Sequence, residues 1–148
     1  MAECIFCAII AGDLQAQVVF ADENVAAFLD VRPRAPGHTM VVPRAHVAAL
    51  KDLPPDAVGH LFRGVQTVLR GIEAGLAPDG MTIGINQGAV AGQAVPHLHV
   101  HLMPRYKGDG GGSIHGVVEN PPTEPLEAIA AKIRDGLQKS GASYTLKG

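Results

Sequence analysis

A surplus of positive charge is missing from this chain. Twelve Lys and Arg stand against fourteen Asp and Glu, for a formal net charge of −2. No basic field therefore recruits nucleic acid or an anionic membrane. Long apolar runs are missing too, since none approaches the roughly 18 residues of a membrane span. The N-terminus lacks a basic stretch followed by an apolar core, so no signal peptide is expected and the cytoplasm is the default compartment. Cysteine is confined to Cys4 and Cys7. In a reducing compartment such a C-x-x-C pair reads as a metal clip or a redox pair rather than a structural disulfide, with two inert small thiols as the bland alternative. Tryptophan is absent, and nothing functional follows from that. The remainder is ordinary: 148 residues, 47% hydrophobic and 18% charged, enough for one domain spanning 1–148 with a real core.

Against this background His97-Leu98-His99-Val100-His101 stands out. A strand has a side-chain period of two, so the three imidazoles are expected on one face and Leu98, Val100 and Leu102 on the other. Histidine serves near neutral pH as nucleophile, proton carrier or metal ligand. The loop Gly88-Ala89-Val90-Ala91-Gly92-Gln93-Ala94 precedes the motif. Its glycines would let backbone N–H groups approach an anion, although it is no P-loop. A phosphate beside a neutral imidazole suggests displacement at phosphorus through a phosphohistidine. A metal site and a polar surface stripe remain open on geometry alone.

Periodicity places the motif in a fold. Cys4 to Ala11 reads as a short helix ended by Gly12-Asp13. Val18–Phe20 and Val25–Leu29 read as a hairpin around Asp22-Glu23-Asn24. Thr39–Val42 is the next strand, stopped by Pro43. Val58, Leu61, Phe62, Val65, Val68, Leu69 and Ile72 follow a helical period after Pro54-Pro55-Asp56, and Gly75 and Pro78 are its expected end. Met81, Ile83 and Ile85 suggest a strand with one buried face, and Pro96–Pro104 is the histidine strand. Residues 105–125 are Gly- and Pro-rich and irregular, and 126–141 form a last helix with Leu126, Ile129, Ala130, Ile133 and Leu137 on its apolar side. The expected class is α+β, with a five-stranded antiparallel sheet, one long helix and a C-terminal helix.

The motif His97-Leu98-His99-Val100-His101-Leu102-Met103 resembles the signature of the histidine-triad (HIT) superfamily of nucleotidyl hydrolases and transferases. Five companion segments, ordered along residues 4–104, are similar to its Hint branch. They are Cys4–Ile10, Ala27–Val31, Pro36–His46, Ile85–Gly88 and Gly92-Gln93. The resemblance implies a HIT-like fold and a homodimer. It implies hydrolysis of purine nucleoside phosphoramidates or related nucleotide conjugates. His99 would be the nucleophile, His101 would hydrogen-bond the phosphate, and His38 would be a fourth, upstream active-site histidine. Gln93 and the Gly92 backbone would hold phosphate oxygens, and Asn86 would touch the sugar–phosphate end. Asp30 would take the ribose hydroxyls with Val31 packing nearby, and Phe6 and Ile9 would wall the base pocket. Ala94 departs from the family, which usually has Ser or Thr there, so one hydroxyl donor is missing.

Cys4 and Cys7 have zinc-clip spacing, and His46 and His97 flank strands that could bring them together as a structural Cys₂His₂ site. That pattern resembles bacterial triad proteins and galactose-phosphate uridylyltransferases, where the first histidine of the motif holds zinc. Rival readings are a dinucleoside polyphosphate hydrolase, a nucleotide-binding regulatory protein with little turnover, and a zinc hydrolase liganded by His97, His99 and His101. His60 and His115 read as solvated residues, and Arg105-Tyr106-Lys107 as an anion-steering patch or a solvated strand end. Asp30 as a turn residue and Gln93 as a loop amide are the plain alternatives to their binding roles.

Overall fold

The computed structural model describes residues 4–142, in two compact units that meet at the Gly112–Ser113 bond. The first unit runs through helix α1 (Ile5–Ala11), strands β1 (Val18–Ala21), β2 (Val25–Leu29) and β3 (Thr39–Pro43), and the long helix α2 (Pro55–Leu76). Strands β4 (Gly80–Gly84) and β5 (Val100–Arg105) complete it. The five strands form one antiparallel sheet in the order β1-β2-β3-β5-β4. The second unit holds helix α3 (Leu126–Lys139), which carries the apolar positions expected of the last helix. Among the described residues no helix is long and apolar enough to cross a membrane. The α+β class and the five-stranded sheet are as expected.

Strand alternation builds two cores. Val25, Ala27, Val41, Val100 and Leu102 face Leu61, Val65, Val68 and Ile72 of α2. Ala26, Phe28, Met40 and Val42 face the other way, onto Phe6, Ile9 and Ile10 of α1. β3 is buried at all five positions because it lies inside the sheet with both faces covered. Register places His101 beside Met40, so the histidines share the α1 face while Leu98 joins the α2 core.

Four expectations need correction. The histidine strand begins at Val100, not at Pro96. Continued, the β3–β5 register would set Leu98 opposite Pro43, which has no N–H to extend the ladder. The alternation nevertheless persists through His97 and Leu98. β4 ends at Gly84, and Ile83 is exposed because this strand is a sheet edge. Phe62 is exposed as well, since the sheet covers a narrower stripe of α2 than the apolar pattern spans. Gly75 does not end α2. The helix runs to Leu76 and stops because the residue before Pro78 is excluded from the helical region, leaving Ala77 left-handed at φ +47°.

A network beyond β5 involves Arg105. Its guanidinium donates to both Asp109 oxygens at 2.7 and 3.0 Å, to Thr82 Oγ1 at 3.1 Å and to the Gly112 carbonyl at 2.6 Å. Arg105 thus fixes its own loop and is no free anion-steering charge. Its cation and two backbone N–H groups hold the Asp109 carboxyl far below the usual carboxylate range.

Helix α2 packs closely on β2 at Gly64, where a Cβ would meet Val25 Cγ2 at 2.7 Å. Gly64→Ala is expected to destabilise the protein by about 1–3 kcal/mol through overpacking. Gly71 lies on the same helix, and a Cβ there would meet nothing within 4 Å, so Gly71→Ala should stabilise by roughly 0.5–1 kcal/mol. Urea denaturation of the two variants checks this. Equal effects would show that helix propensity alone, and not contact with β2, governs both positions.

Candidate active site

Four imidazoles converge between α1, β3 and the start of β5. His97 and His38 are almost fully buried, His99 is 6% exposed, and His101 is half-buried. A neutral imidazole has one N–H and one lone pair, and its partners reveal which nitrogen carries which. The His97 carbonyl can only accept, so His99 donates to it through Nδ1 at 2.7 Å. His99 Nε2 is left with its lone pair. The Arg34 backbone N–H can only donate, and it points at His38 Nδ1 at 3.1 Å. His38 therefore carries its proton on Nε2 and donates to His101 Nδ1 at 2.9 Å. His101 in turn carries its proton on Nε2. The His99 and His101 rings stand 4.8 Å apart, centroid to centroid, at 71°. The arrangement sets a free lone pair on one ring beside an N–H donor on the next, which suits attack on an electrophile whose oxygens carry negative charge.

Burial favours the neutral forms of His38 and His101. It lowers the His38 pKa from its ordinary value, against the pull of Asp30. His101 is pushed down to about 4 by burial, then by His99 and His38. Asp30 is held in a turn, with Oδ1 accepting the Arg32 N–H at 2.8 Å and Oδ2 3.7 Å from His38 Nε2.

Among the described residues, two clusters bring potential metal-ligand atoms within 4.8 Å of one another. Cys4, Cys7, His46 and His97 form the first. Cys4 Sγ and Cys7 Sγ lie 3.4 and 3.6 Å from His97 Nδ1, and Cys7 Sγ lies 3.3 Å from His46 Nδ1. Around a tetrahedral zinc, with Zn–S of about 2.3 Å and Zn–N of about 2.0–2.1 Å, sulfur and nitrogen sit about 3.6 Å apart. His97 also donates Nε2–H to the Pro43 carbonyl at 2.8 Å, which leaves Nδ1 a lone pair and supplies the outer hydrogen bond usual for a metal-bound imidazole. Burial and the adjacent Cys4 thiol push the Cys7 pKa up; a divalent cation between them would reverse that. The first cluster fits a metal. Asp30, His38 and His101 form the second, and their protons argue otherwise. A metal on His38 Nε2 would demand either an imidazolate or the loss of the Arg34 hydrogen bond, so this group is a proton-ordered chain.

The HIT domain family model matches residues 11–108. This chain belongs to the HIT family. It is 45% identical over 117 residues to an uncharacterised HIT-like protein of Methanocaldococcus jannaschii, covering 79% of this chain and 90% of that one. A HIT family crystal structure from Bacillus subtilis superposes with a TM-score of 0.80 at 36% identity, covering 96% and 99% of the two chains. A Zn-bound histidine triad protein from Mycobacterium smegmatis matches with a TM-score of 0.68 at 35% identity, over 94% and 96%. A bis(5′-nucleosyl)-tetraphosphatase of Schizosaccharomyces pombe is 43% identical over 93 residues, 63% of this chain and 51% of that protein.

The remaining residues singled out by the HIT resemblance fall into place unevenly. Phe6 is buried, with its ring edge-on to His99 at 5.1 Å and to His97 at 5.8 Å. It braces the imidazoles rather than lining open space. Ile9 packs beside it. Val31 is 86% exposed and packs on nothing nearby in the core. Asn86 lies against Gly92, where a Cβ would meet its Nδ2 at 3.6 Å. The expected phosphate cradle is not presented in this arrangement. Gly92 N–H donates to the Ala89 carbonyl and Gln93 N–H to the Gly88 carbonyl, because the loop coils into a short 3₁₀ turn. The Gln93 carboxamide accepts from the Gly88 N–H and donates to the Ala48 and Val95 carbonyls. Ala94 is exposed. A pocket of about 450 Å³ lies along the β2–β3 turn, lined by Leu29, Asp30, Pro33, Arg34, Pro36 and His38 among others. Three groups were invisible in the sequence because they are main-chain atoms: the Arg34 N–H, the Pro43 carbonyl and the His97 carbonyl carry no side-chain signature.

The depressed His38 and His101 values make stability depend on pH with a definite sign. The groups facing His101 are His99, His38 and Asp30, and those facing His38 are Asp30, Arg34 and His101. Unfolded histidine titrates near 6.5, above the folded value of about 4 for His101. Between those limits the unfolded chain binds a proton that the folded chain refuses, so stability is full above about pH 6.5 and is lost as pH falls toward about 4. Urea midpoints at pH 7 and pH 5 should therefore drop more in wild type than in His101→Gln. Equal drops would show that His101 titrates normally in the folded protein.

Proposed function

We propose that this HIT protein hydrolyses nucleoside phosphoramidates or related nucleotide conjugates, purine in type, through a nucleotidyl-histidine on His99. The observation that carries the reading is the free Nε2 lone pair of His99, fixed by the Nδ1–H bond to the His97 carbonyl, beside the Nε2–H of His101. In the first step the Nε2 pair forms an N–P bond as the P–N bond to the amine breaks. The imidazole becomes cationic, and its Nδ1–H strengthens its bond to the carbonyl. In the second step water attacks phosphorus, the N–P bond breaks and the pair returns to Nε2. The products are the nucleoside monophosphate and the amine.

His101 serves as a hydrogen-bond donor to the phosphoryl oxygen. It is a poor net proton source, because its chain through His38 ends on the Arg34 backbone amide, which cannot give up a proton. The leaving amine then takes its proton from solvent. On this reading Asp30 accepts ribose hydroxyls and Asn86 meets the sugar–phosphate end.

Zinc is the metal proposed for Cys4, Cys7, His46 and His97. Four protein ligands leave no open position, so the ion would hold structure and take no part in bond breaking. A homodimer is also proposed. Its support is the exposed Ile83 on edge strand β4 and the exposed Phe62 on α2, and a sedimentation mass of one chain would overturn it. A dinucleoside polyphosphate hydrolase is the second reading, favoured by the Schizosaccharomyces pombe relative.

Hydrolysis of adenosine 5′-phosphoramidate and of a dinucleoside tetraphosphate tests both. Wild type should turn over the phosphoramidate faster and tolerate brief chelation. His99→Ala should lose roughly a thousandfold or more in kcat while keeping the fold. Preference for the tetraphosphate would select the second reading, and turnover surviving in His99→Ala would refute the nucleophile. Ala94→Ser should keep or raise kcat, by up to about tenfold for one added hydrogen bond; a large loss would mean that the loop geometry here differs from the family's.

A further inference from the structure

The candidate metal clip and the proposed nucleophile share one residue, and they share it through different atoms. His97 offers Nδ1 to the two thiols, while its carbonyl receives the His99 Nδ1–H. That carbonyl belongs to the planar peptide unit joining His97 to Leu98. The opposite edge of the same unit, the Leu98 N–H, donates to the Val47 carbonyl at 2.7 Å. Val47 follows His46, the other imidazole of the clip. A metal joining His46 to His97 therefore closes a ring around this peptide unit, with the Leu98–Val47 hydrogen bond as its far side. A second path runs through α1. Phe6 lies between the two cysteines in sequence, and its ring edge rests on His99 at 5.1 Å.

We propose that the metal clip positions the His99 ring, through the His97 carbonyl and through Phe6, and so sets which of its nitrogens carries the proton. This rests on the zinc reading above. His97 is on this account a positioning residue: its ring holds the metal and its backbone holds the nucleophile. The coupling works by geometry. A peptide unit free to rotate would release Nδ1, and a ring no longer held by it can place its proton on Nε2, where no lone pair remains for phosphorus.

The test uses the full chain, zinc-loaded and chelator-stripped, with His46→Ala as a second route to metal loss. Elemental analysis reads zinc, the amide NMR spectrum reads the fold, and ¹⁵N shifts of the His99 ring read its proton position. Kinetics on adenosine 5′-phosphoramidate read kcat and KM separately. In the loaded protein His99 should show one form, protonated on Nδ1. Stripping should mix the two forms and lower kcat by about tenfold or more while KM moves less than about threefold. Added zinc should restore both. An unchanged His99 ring and unchanged kcat on stripping would overturn the coupling. If the stripped protein unfolds, cadmium exchange decides, because a larger cation shifts the clip while keeping it closed; a His99 signal that ignores the exchange would again overturn the proposal. Protein that takes up no zinc overturns the metal reading and the coupling together. Loaded protein without turnover overturns the hydrolase reading alone, since the ring's proton position still reports on the coupling.

Discussion

The hydrogen bond from His99 Nδ1–H to the His97 carbonyl fixes the chemistry of everything around it. An imidazole has one proton to place when neutral, and a carbonyl accepts it on Nδ1 alone. The lone pair is then forced onto Nε2. The same accounting, run from the Arg34 amide through His38, forces an N–H onto His101 Nε2. It also distinguishes the two clusters of ligand atoms. His97 keeps a lone pair facing sulfur because its other nitrogen donates to Pro43. His38 has no lone pair to spare on the side that a metal would need. Three alternating histidines of one motif thus acquire three chemistries from their partners.

The fold that delivers these partners depends on β3. It is buried on both faces and paired on both edges, so its end at Pro43 is a fixed point. There the ladder to the histidine segment stops, and an imidazole replaces the missing pairing by donating to the Pro43 carbonyl. The helix behind the sheet is equally constrained, because α2 meets Val25 over a glycine. Little freedom remains for the imidazole row to shift against α1.

Much of this is readable in the sequence. The alternation of His97, His99 and His101 with Leu98, Val100 and Leu102 assigns the faces correctly even where no regular strand exists, since an extended backbone alternates with or without a ladder. The C-x-x-C spacing and two strand-flanking histidines pick out the four side chains that converge, because donor chemistry is a side-chain property. What stayed hidden is main-chain. Nothing in residue identity at Arg34 or Pro43 announces a donor to His38 or an acceptor for His97. The Gly92-Gln93 segment shows the converse: its composition suits an anion cradle, yet its N–H groups are spent inside a 3₁₀ turn that composition does not reveal.

The turn between β2 and β3 has two duties. Its residues from Pro33 to His38 line a pocket beside Asp30, and the same stretch carries the Arg34 amide that orders the protons of His38 and His101. Pocket shape and protonation are therefore written in one short piece of chain. A lineage that reshaped this turn to admit a different molecule would redraw the proton pattern of the two imidazoles in the same step, so the two traits are not free to diverge separately.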